Sequence, residues 1–152
     1  MKYKTVESKN SNKLDFDQYY TPYNVMEYCV NKSIATIENL GLEISEFLEP
    51  SAGEGIFSDY LYKRGLNVIA MDIEPKNNYI IKQDYLTCNI GYKAKRFIIG
   101  NPPYGSKFAL ARKFYNKSCE LGDYISFILP IRQLKLYVKL LAIEMLLTLY
   151  RY

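Results

Sequence analysis

The fold of this chain is indicated first by the run Phe97-Ile98-Ile99-Gly100-Asn101-Pro102-Pro103-Tyr104. Its apolar start predicts a short buried strand, and the prolines cannot continue a sheet ladder, so the strand must end there. Asn101 and Tyr104 are thereby left at the carboxyl end of a strand, where open α/β sheets bind ligands. The Asn101 amide oxygen and the Pro102 carbonyl are paired acceptors for an exocyclic amino group, and the Tyr104 ring is a platform for a flat base. The alternative is a plain Pro-Pro turn.

A second ligand-type turn is Glu49-Pro50-Ser51-Ala52-Gly53-Glu54-Gly55, between a predicted strand ending at Leu48 and a predicted helix over 56–64. Its two glycines would let the backbone approach a ligand closely. The third glycine of the dinucleotide fingerprint is missing and no Gly-Lys-Ser/Thr follows, so neither of those phosphate sites is predicted. Glu49 would repel a phosphate and attract an ammonium group. The alternative is a helix-start turn without a ligand.

Two further acidic residues follow predicted strands. Residues 66–71 predict a second strand ending in Asp72, and residues 79–86 predict a third strand that carries Asp84. Asp72 lies 17 residues after the second glycine of the turn, close to the spacing of an acid that binds ribose hydroxyls. Asp84 could accept a hydrogen bond from an adenine amino group. Each acid alone could be a solvated strand-end residue, but with Glu49 three acids end three successive strands.

The remaining segments complete an alternating pattern. A helix is predicted over 22–40, with Thr21 as N-cap and Pro22 as first helical residue. A second is predicted over 106–121, and a fifth strand over 124–129. The sheet-facing side of the 106–121 helix is predicted to be Phe108, Ala111, Phe114, Ser118 and Leu121. Strands alternating with crossovers predict an α/β fold, with a mostly parallel sheet of about five strands and flanking helices.

Composition limits the function. The sequence of 152 residues has no histidine, which excludes Ser-His triads, Cys-His nucleophiles and histidine-bound zinc. Its three cysteines, Cys29, Cys88 and Cys119, are widely spaced, so we expect buried free thiols rather than a metal site or disulfides. Free thiols and a start without an apolar signal core predict a cytoplasmic protein. The net charge of +4 is concentrated after residue 130.

Three regions are expected. Residues 1–17 are polar and lysine-rich and predict a flexible arm. Residues 18–130 form the core, and residues 131–152 form an apolar and basic tail that is predicted to be helical. Charges interrupt the tail, so a membrane span is not predicted. We expect the tail to pack near the open edge of the fifth strand, leaving an apolar patch that drives self-association or needs a second chain.

The order of the motifs resembles the amino-terminal part of S-adenosylmethionine-dependent DNA adenine-N6 methyltransferases. The resemblance runs from about residue 18 to 130 and rests on Tyr20-Thr21-Pro22, Glu49–Gly55, Asp72-Ile73-Glu74-Pro75, Gln83-Asp84-Tyr85-Leu86 and Asn101–Tyr104. It implies a Rossmann-like methyltransferase core. Family members normally continue with two more strands and a recognition domain. The sequence ends about 22 residues after the fifth strand, so the expectation is a truncated or altered member.

The resemblance also implies site residues. The cofactor S-adenosyl-L-methionine would be held by residues of the first four motifs: Tyr20, Thr21, Pro22, Glu49, Ser51, Gly53, Gly55, Asp72, Ile73, Asp84 and Tyr85. The catalytic residues would be Asn101, Pro102, Pro103 and Tyr104, acting on an adenine flipped out of DNA. No metal is implied. Three alternatives stay open: methyl transfer to a protein glutamine, methyl transfer to RNA, and a cofactor-binding chain without turnover.

Overall fold

The computed structural model describes residues 20–129, so the predicted arm and tail lie outside the described residues. Helix α1 spans Tyr23–Asn39, strand β1 Glu46–Glu49, helix α2 Ile56–Lys63 and strand β2 Val68–Asp72. Strand β3 is Ile81–Lys82, strand β4 Arg96–Gly100, helix α3 Ala109–Cys119 and strand β5 Tyr124–Phe127. Two short 3-10 turns, Tyr85–Thr87 and Ser106–Phe108, precede β4 and α3.

The five strands form one sheet in the order β3-β2-β1-β4-β5, and every pairing is parallel. The predicted α/β fold with a parallel sheet and flanking helices is therefore confirmed. Strand order reverses at β1, from which the chain runs first to β2 and β3 and then to β4 and β5. A crevice at the carboxyl ends of the strands is expected beside such a reversal.

Alternation along the central strands divides the core into two layers. Phe47 of β1 and Phe97 of β4 pack with the inner faces of α1 and α2, and their rings lie 5.5 Å apart. Leu48 and Ile98, the next residue on each strand, pack on the opposite face with Phe114 of α3. Since these strands are covered on both faces, adjacent residues at their centres are apolar, as in Phe47-Leu48 and Phe97-Ile98-Ile99, and do not alternate with polar ones.

At the amino ends of the strands, a buried ion pair joins β1 to β4. Arg96 Nε donates to Glu46 at 2.8 Å, and Lys93 donates to the other carboxylate oxygen at 2.7 Å. Burial opposes ionisation of Glu46, but the hydrogen bonds from Lys93 and Arg96 hold its pKa below the ordinary value. Glu46 therefore stabilises the fold, and it lies at the opposite end of the sheet from the predicted ligand site.

Helix α1 starts later than predicted. Pro22, not Thr21, occupies the N-cap position, and its carbonyl accepts the N–H groups of Val25 and Met26, each at 3.0 Å. The Thr21 hydroxyl accepts instead from the side chain of Asn101. A long-range contact has replaced the local cap.

The third strand is much shorter than predicted, at two residues, and Tyr85 lies in the 3-10 turn that follows it. The cause is Asp84, whose carboxylate accepts the Leu86 N–H at 2.9 Å and so caps that turn. Aspartate side chains compete with sheet ladders in this way.

Three other predictions need correction. Helix α3 begins at Ala109 rather than at residue 106, because Lys107 and Phe108 adopt positive φ values. The side predicted to face the sheet is nonetheless buried at all five positions. Strand β5 ends at Phe127. Cys29 and Cys88 are buried free thiols as expected, whereas Cys119 is exposed. Along residues 20–129, none of the helices combines the length and apolarity needed to cross a bilayer.

Candidate ligand site at the carboxyl ends of the strands

A cavity of about 650 Å³ opens at the carboxyl ends of β1, β2 and β4. Eleven of the predicted site residues line it: Tyr20, Thr21, Glu49, Ser51, Gly53, Asp72, Ile73, Asp84, Tyr85, Asn101 and Pro103. Residues that are distant in sequence meet there because parallel strands deliver their carboxyl ends to one edge of the sheet.

Four predicted residues do not line the cavity. Pro22 is the N-cap residue of α1, and Pro102 is fully buried within the Asn101–Tyr104 motif. Gly55 is the N-cap of α2, and Tyr104 is 8% exposed. The cavity is also lined by residues that were not predicted: Pro50, Ala52, Glu54, Ile56, Phe57, Glu74, Lys76, Leu86, Leu110 and Phe114. Half of these lie within the quoted motifs, and Ile56, Phe57 and Lys76 directly follow them. Leu110 stands one helical turn before Phe114, and this spacing was the signal that could have identified it.

The glycine turn has backbone angles that favour glycine. Gly53 has φ +54° and Gly55 has φ +86°. A side chain at position 55 would also collide with the hydroxyl of Tyr79, which lies against this turn. Burial, together with a hydrogen bond from its hydroxyl to Asp59, raises the pKa of Tyr79 to about 12. The turn is therefore held by its own geometry and by a side chain from the segment before β3.

The segment before β3, residues 76–79, crosses over the glycine turn and is called the strap below. The Lys76 N–H donates to the Gly53 carbonyl at 3.0 Å, and the Asn77 side chain donates to the Glu54 carbonyl. The strap is possible because the connection from β2 to β3 has no helix. It fixes one wall of the cavity.

Glu49 lies at the end of β1 and is 1% exposed. Its Oε2 accepts the N–H of Ser58, in the first turn of α2, at 2.8 Å. Burial raises the pKa of Glu49 to about 8, although the hydrogen bonds from Ser58 act in the opposite direction. At neutral pH the carboxyl is thus largely protonated, and a positive group bound in the cavity would favour its ionised form.

Asp72 uses both carboxylate oxygens to hold the backbone around it. Oδ2 accepts the Gly53 N–H at 2.7 Å, and Oδ1 accepts the Glu74 N–H at 2.8 Å. These bonds tie the end of β2 to the glycine turn. Each carboxylate oxygen has two acceptor sites, so a pair of ligand hydroxyls can be accommodated at the same group.

Hydrogen bonds to other side chains orient the side-chain amide of Asn101. Its Nδ2 donates to Thr21 Oγ1 at 3.0 Å, and its Oδ1 accepts the hydroxyl of Tyr104 at 2.7 Å. Its backbone carbonyl accepts from the Ser51 hydroxyl at 3.2 Å. The residue before α1, the glycine turn and the strand-end motif are therefore joined at one residue, through both its side chain and its backbone carbonyl.

Tyr104 is packed rather than presented to the cavity. Its ring stacks on Phe108 with centroids 5.4 Å apart and an interplanar angle of 6°. The stack depends on a strained backbone, because Lys107 (φ 50°) and Phe108 (φ 62°) are successive non-glycine residues in the left-handed region. Each such residue costs on the order of 1–3 kcal/mol.

Tyr85 and Ile73 form apolar parts of the cavity wall. The Tyr85 ring packs on Phe114 at 5.1 Å, and its hydroxyl is 2.7 Å from Ser118 Oγ. Burial raises the pKa of Tyr85, so it remains a neutral phenol. Ile73 is 37% exposed and offers an apolar surface beside Asp72. Among the described residues, no group of three or more His, Cys, Asp or Glu is arranged to hold a metal.

Similarity to known proteins covers part of the chain. Over 100 residues, 62% of this sequence, it is 30% identical to the Type II methyltransferase M.HincII of Haemophilus influenzae. The same coverage and identity relate it to the Type II methyltransferase M.HindII of the Rd strain of that species. This chain covers 18% of the length of each relative. No protein-family model and no solved structure matches it. The chain is thus similar to a section of two Type II methyltransferases.

Proposed function

We propose that the chain is the catalytic core of an S-adenosylmethionine-dependent methyltransferase that acts on N6 of adenine in DNA. The observation that carries the proposal is a cavity in which the oriented amide of Asn101 lies with three acids: Glu49 and Asp72 at the ends of β1 and β2, and Asp84 just after β3. Similarity to Type II methyltransferases supports methyl transfer and DNA as the substrate.

The cavity fits the proposed cofactor in size and in chemistry. A volume of about 650 Å³ lies within the usual range for a ligand of this size. Glu49 would accept the ammonium group, Asp72 the ribose hydroxyls and Asp84 the adenine amino group. Ile73 would pack on the adenine, with Tyr20 and Thr21 at the methionine end. When bound, the cofactor supplies an electrophilic methyl group on its sulfonium.

The remaining predicted residues would act from beside or behind the cavity. Pro22 sets the start of α1, so it would place Tyr20 and Thr21. Ser51 and the two glycines would shape the turn around the amino acid portion of the cofactor. Tyr85 would close the wall on the α3 side.

Asn101 is proposed to act on the target amino group. Adenine N6 is a poor nucleophile because its lone pair is delocalised into the ring. Acceptors at Asn101 Oδ1 and the Pro102 carbonyl would bind its hydrogens and localise that lone pair, so that positioning and electrostatics accomplish most of the catalysis. Pro102 is fully buried and does not line the cavity, so its carbonyl would have to become accessible when the target binds. The bond to Thr21 would leave the oxygen end of the amide to face the target.

Tyr104 is proposed to stack on the flipped base, which requires a change from its present packing. With 8% of its surface exposed and its ring on Phe108, it must become more accessible. A target amino group would join or displace its hydroxyl at Asn101 Oδ1. Pro103, which lines the cavity, would bound the base pocket.

The test uses methyl-labelled cofactor with genomic DNA, total RNA and a protein extract in parallel. The proposal expects label in DNA alone, recovered as N6-methyladenine after digestion, and none with the matched Asn101→Ala variant. Label in RNA or in protein glutamine would establish one of the alternative substrates. Cofactor binding by calorimetry without label in any substrate would leave a binding protein and refute the catalytic proposal.

A further inference from the structure

The outer face of α3 carries positively charged side chains that do not line the cavity. Residues 85–119 contain seven Lys or Arg and no Asp or Glu. Three of these cations bind acids elsewhere: Lys93 and Arg96 bind Glu46, and Lys95 binds Glu43. The other four lie on α3 and on the turn before it, and together they are the α3 basic face: Lys107, Arg112, Lys113 and Lys117.

This face is accessible. Lys107, Arg112 and Lys113 are exposed. Lys117 lies 3.6 Å from Glu120 at the far end of the helix. Within residues 20–129, neither Lys107 nor Lys113 takes part in a salt bridge. The charges of Lys107 and Lys113 are thus available to an external anion.

The other two described helices do not share this charge. Helix α1 carries Glu27 and Glu38 against Lys32, and α2 carries Asp59 against Lys63. Both pack on the opposite face of the sheet from α3. Positive charge is therefore concentrated on one side of the fold.

The α3 basic face borders the cavity. Leu110 and Phe114 of α3 line the cavity wall. Lys113 is three residues after Leu110, and Lys117 is three residues after Phe114, so each cation is the helical neighbour of a lining residue. Lys113 and Lys117 are about 6 Å apart along the helix axis. The charge is placed where a polyanion could lie across the cavity mouth.

We propose that the α3 basic face binds the phosphate backbone of duplex DNA beside the cavity. This inference rests on the proposed function for its choice of polyanion. A DNA strand presents a charge about every 3.4 Å along its axis, so a helix segment of this length can face more than one phosphate. Contacts of this kind position a protein without reading sequence.

The experiment measures binding of a short fluorescent DNA duplex by anisotropy over a series of salt concentrations. The variant is Lys107→Gln with Lys113→Gln, and the matched control is Lys32→Gln with Lys63→Gln, which removes the same charge from α1 and α2. The slope of log affinity against log salt should fall by roughly 1.8 in the variant, about 0.9 for each lost phosphate contact, and should be unchanged in the control. Lys113→Gln alone should show about half the effect and leaves the strained turn intact.

Four results would overturn the inference. Three are equal losses in the variant and the control, an unchanged slope in the variant, and no binding by the wild-type chain at low salt. The fourth is an equal loss of affinity for poly-glutamate, because the face would then bind any polyanion. Failure of the proposed function is a separate result, since methyl transfer to DNA can be absent while the α3 variant still changes the salt slope.

Discussion

Glu49→Gln is expected to raise the free energy of unfolding at neutral pH, by an amount that grows with pH. The carboxyl is 1% exposed, and burial raises its pKa to about 8. Glutamine has nearly the same shape and can accept the Ser58 N–H through its amide oxygen. The substitution therefore removes the titrating proton while keeping the packing and the hydrogen bond at the start of α2.

The magnitude follows from the difference between the folded and unfolded pKa of Glu49. The ordinary value is 4.5, so between pH 4.5 and about 8 the folded chain keeps a proton that the unfolded chain has released. Because the folded state binds more protons, the free energy of unfolding falls as pH rises through this window, and above it the full cost remains. Each pH unit is worth about 1.4 kcal/mol, and the whole window is worth on the order of 5 kcal/mol.

Urea unfolding of the wild type, Glu49→Gln and the control Glu38→Gln measures this effect. Glu38 is an exposed acid on α1. Relative to wild type, Glu49→Gln should gain stability by about 1.4 kcal/mol for each pH unit within the window, whereas the control should keep the pH dependence of the wild type. A difference between Glu49→Gln and wild type that stays constant across the window would refute the reasoning.

Four other outcomes are expected. Asp72→Ala should weaken S-adenosylmethionine binding by about 1.5–3 kcal/mol, the range for hydrogen bonds to a charged group, and unchanged affinity by calorimetry would remove it from the site. Asn101→Ala should abolish methylation and leave cofactor affinity near normal. A comparable loss of methylation and of cofactor affinity would show that Asn101 acts on the cofactor and not on the target. Cofactor binding near neutral pH should release a proton from Glu49, because an ammonium lowers its raised pKa; calorimetric heats that do not vary with buffer ionisation would contradict this. Glu46→Ala should cost about 3–5 kcal/mol of unfolding free energy, because buried Arg96 loses its carboxylate. A loss below about 1 kcal/mol in urea unfolding would show that the backbone carbonyls of Gly91 and Leu121, which also accept from Arg96, are sufficient partners.

The parallel sheet could be predicted because its signals are local. The strands that contain Leu48 and Ile98 have apolar residues on both faces, and a proline closely follows each strand. Such runs bury their side chains in almost any compact arrangement, and alternation with helices leaves few topologies. Pairing direction and the approximate strand positions were therefore predicted correctly, except that the third strand is two residues long.

Element ends were predicted less well, because side chains compete for the same backbone groups. The third strand stops where Asp84 caps a turn, and α3 starts late where Lys107 and Phe108 enter the left-handed region. Cys119 was expected inside and lies on the outer side of α3. A side chain that caps a turn competes with the sheet ladder, and the strain of the left-handed residues must be offset by packing such as that of Phe108 on Tyr104.

For the candidate site, residue types and their order along the chain were enough to indicate strand-end acids, a glycine turn and an amide beside prolines. Only the folded chain decided their partners. Thr21 was expected to cap a helix, yet it accepts from Asn101, 80 positions away. Tyr104 was expected to face a ligand, yet its ring lies on Phe108. Burial and long-range hydrogen bonds depend on how separate segments pack, and no local pattern encodes that packing.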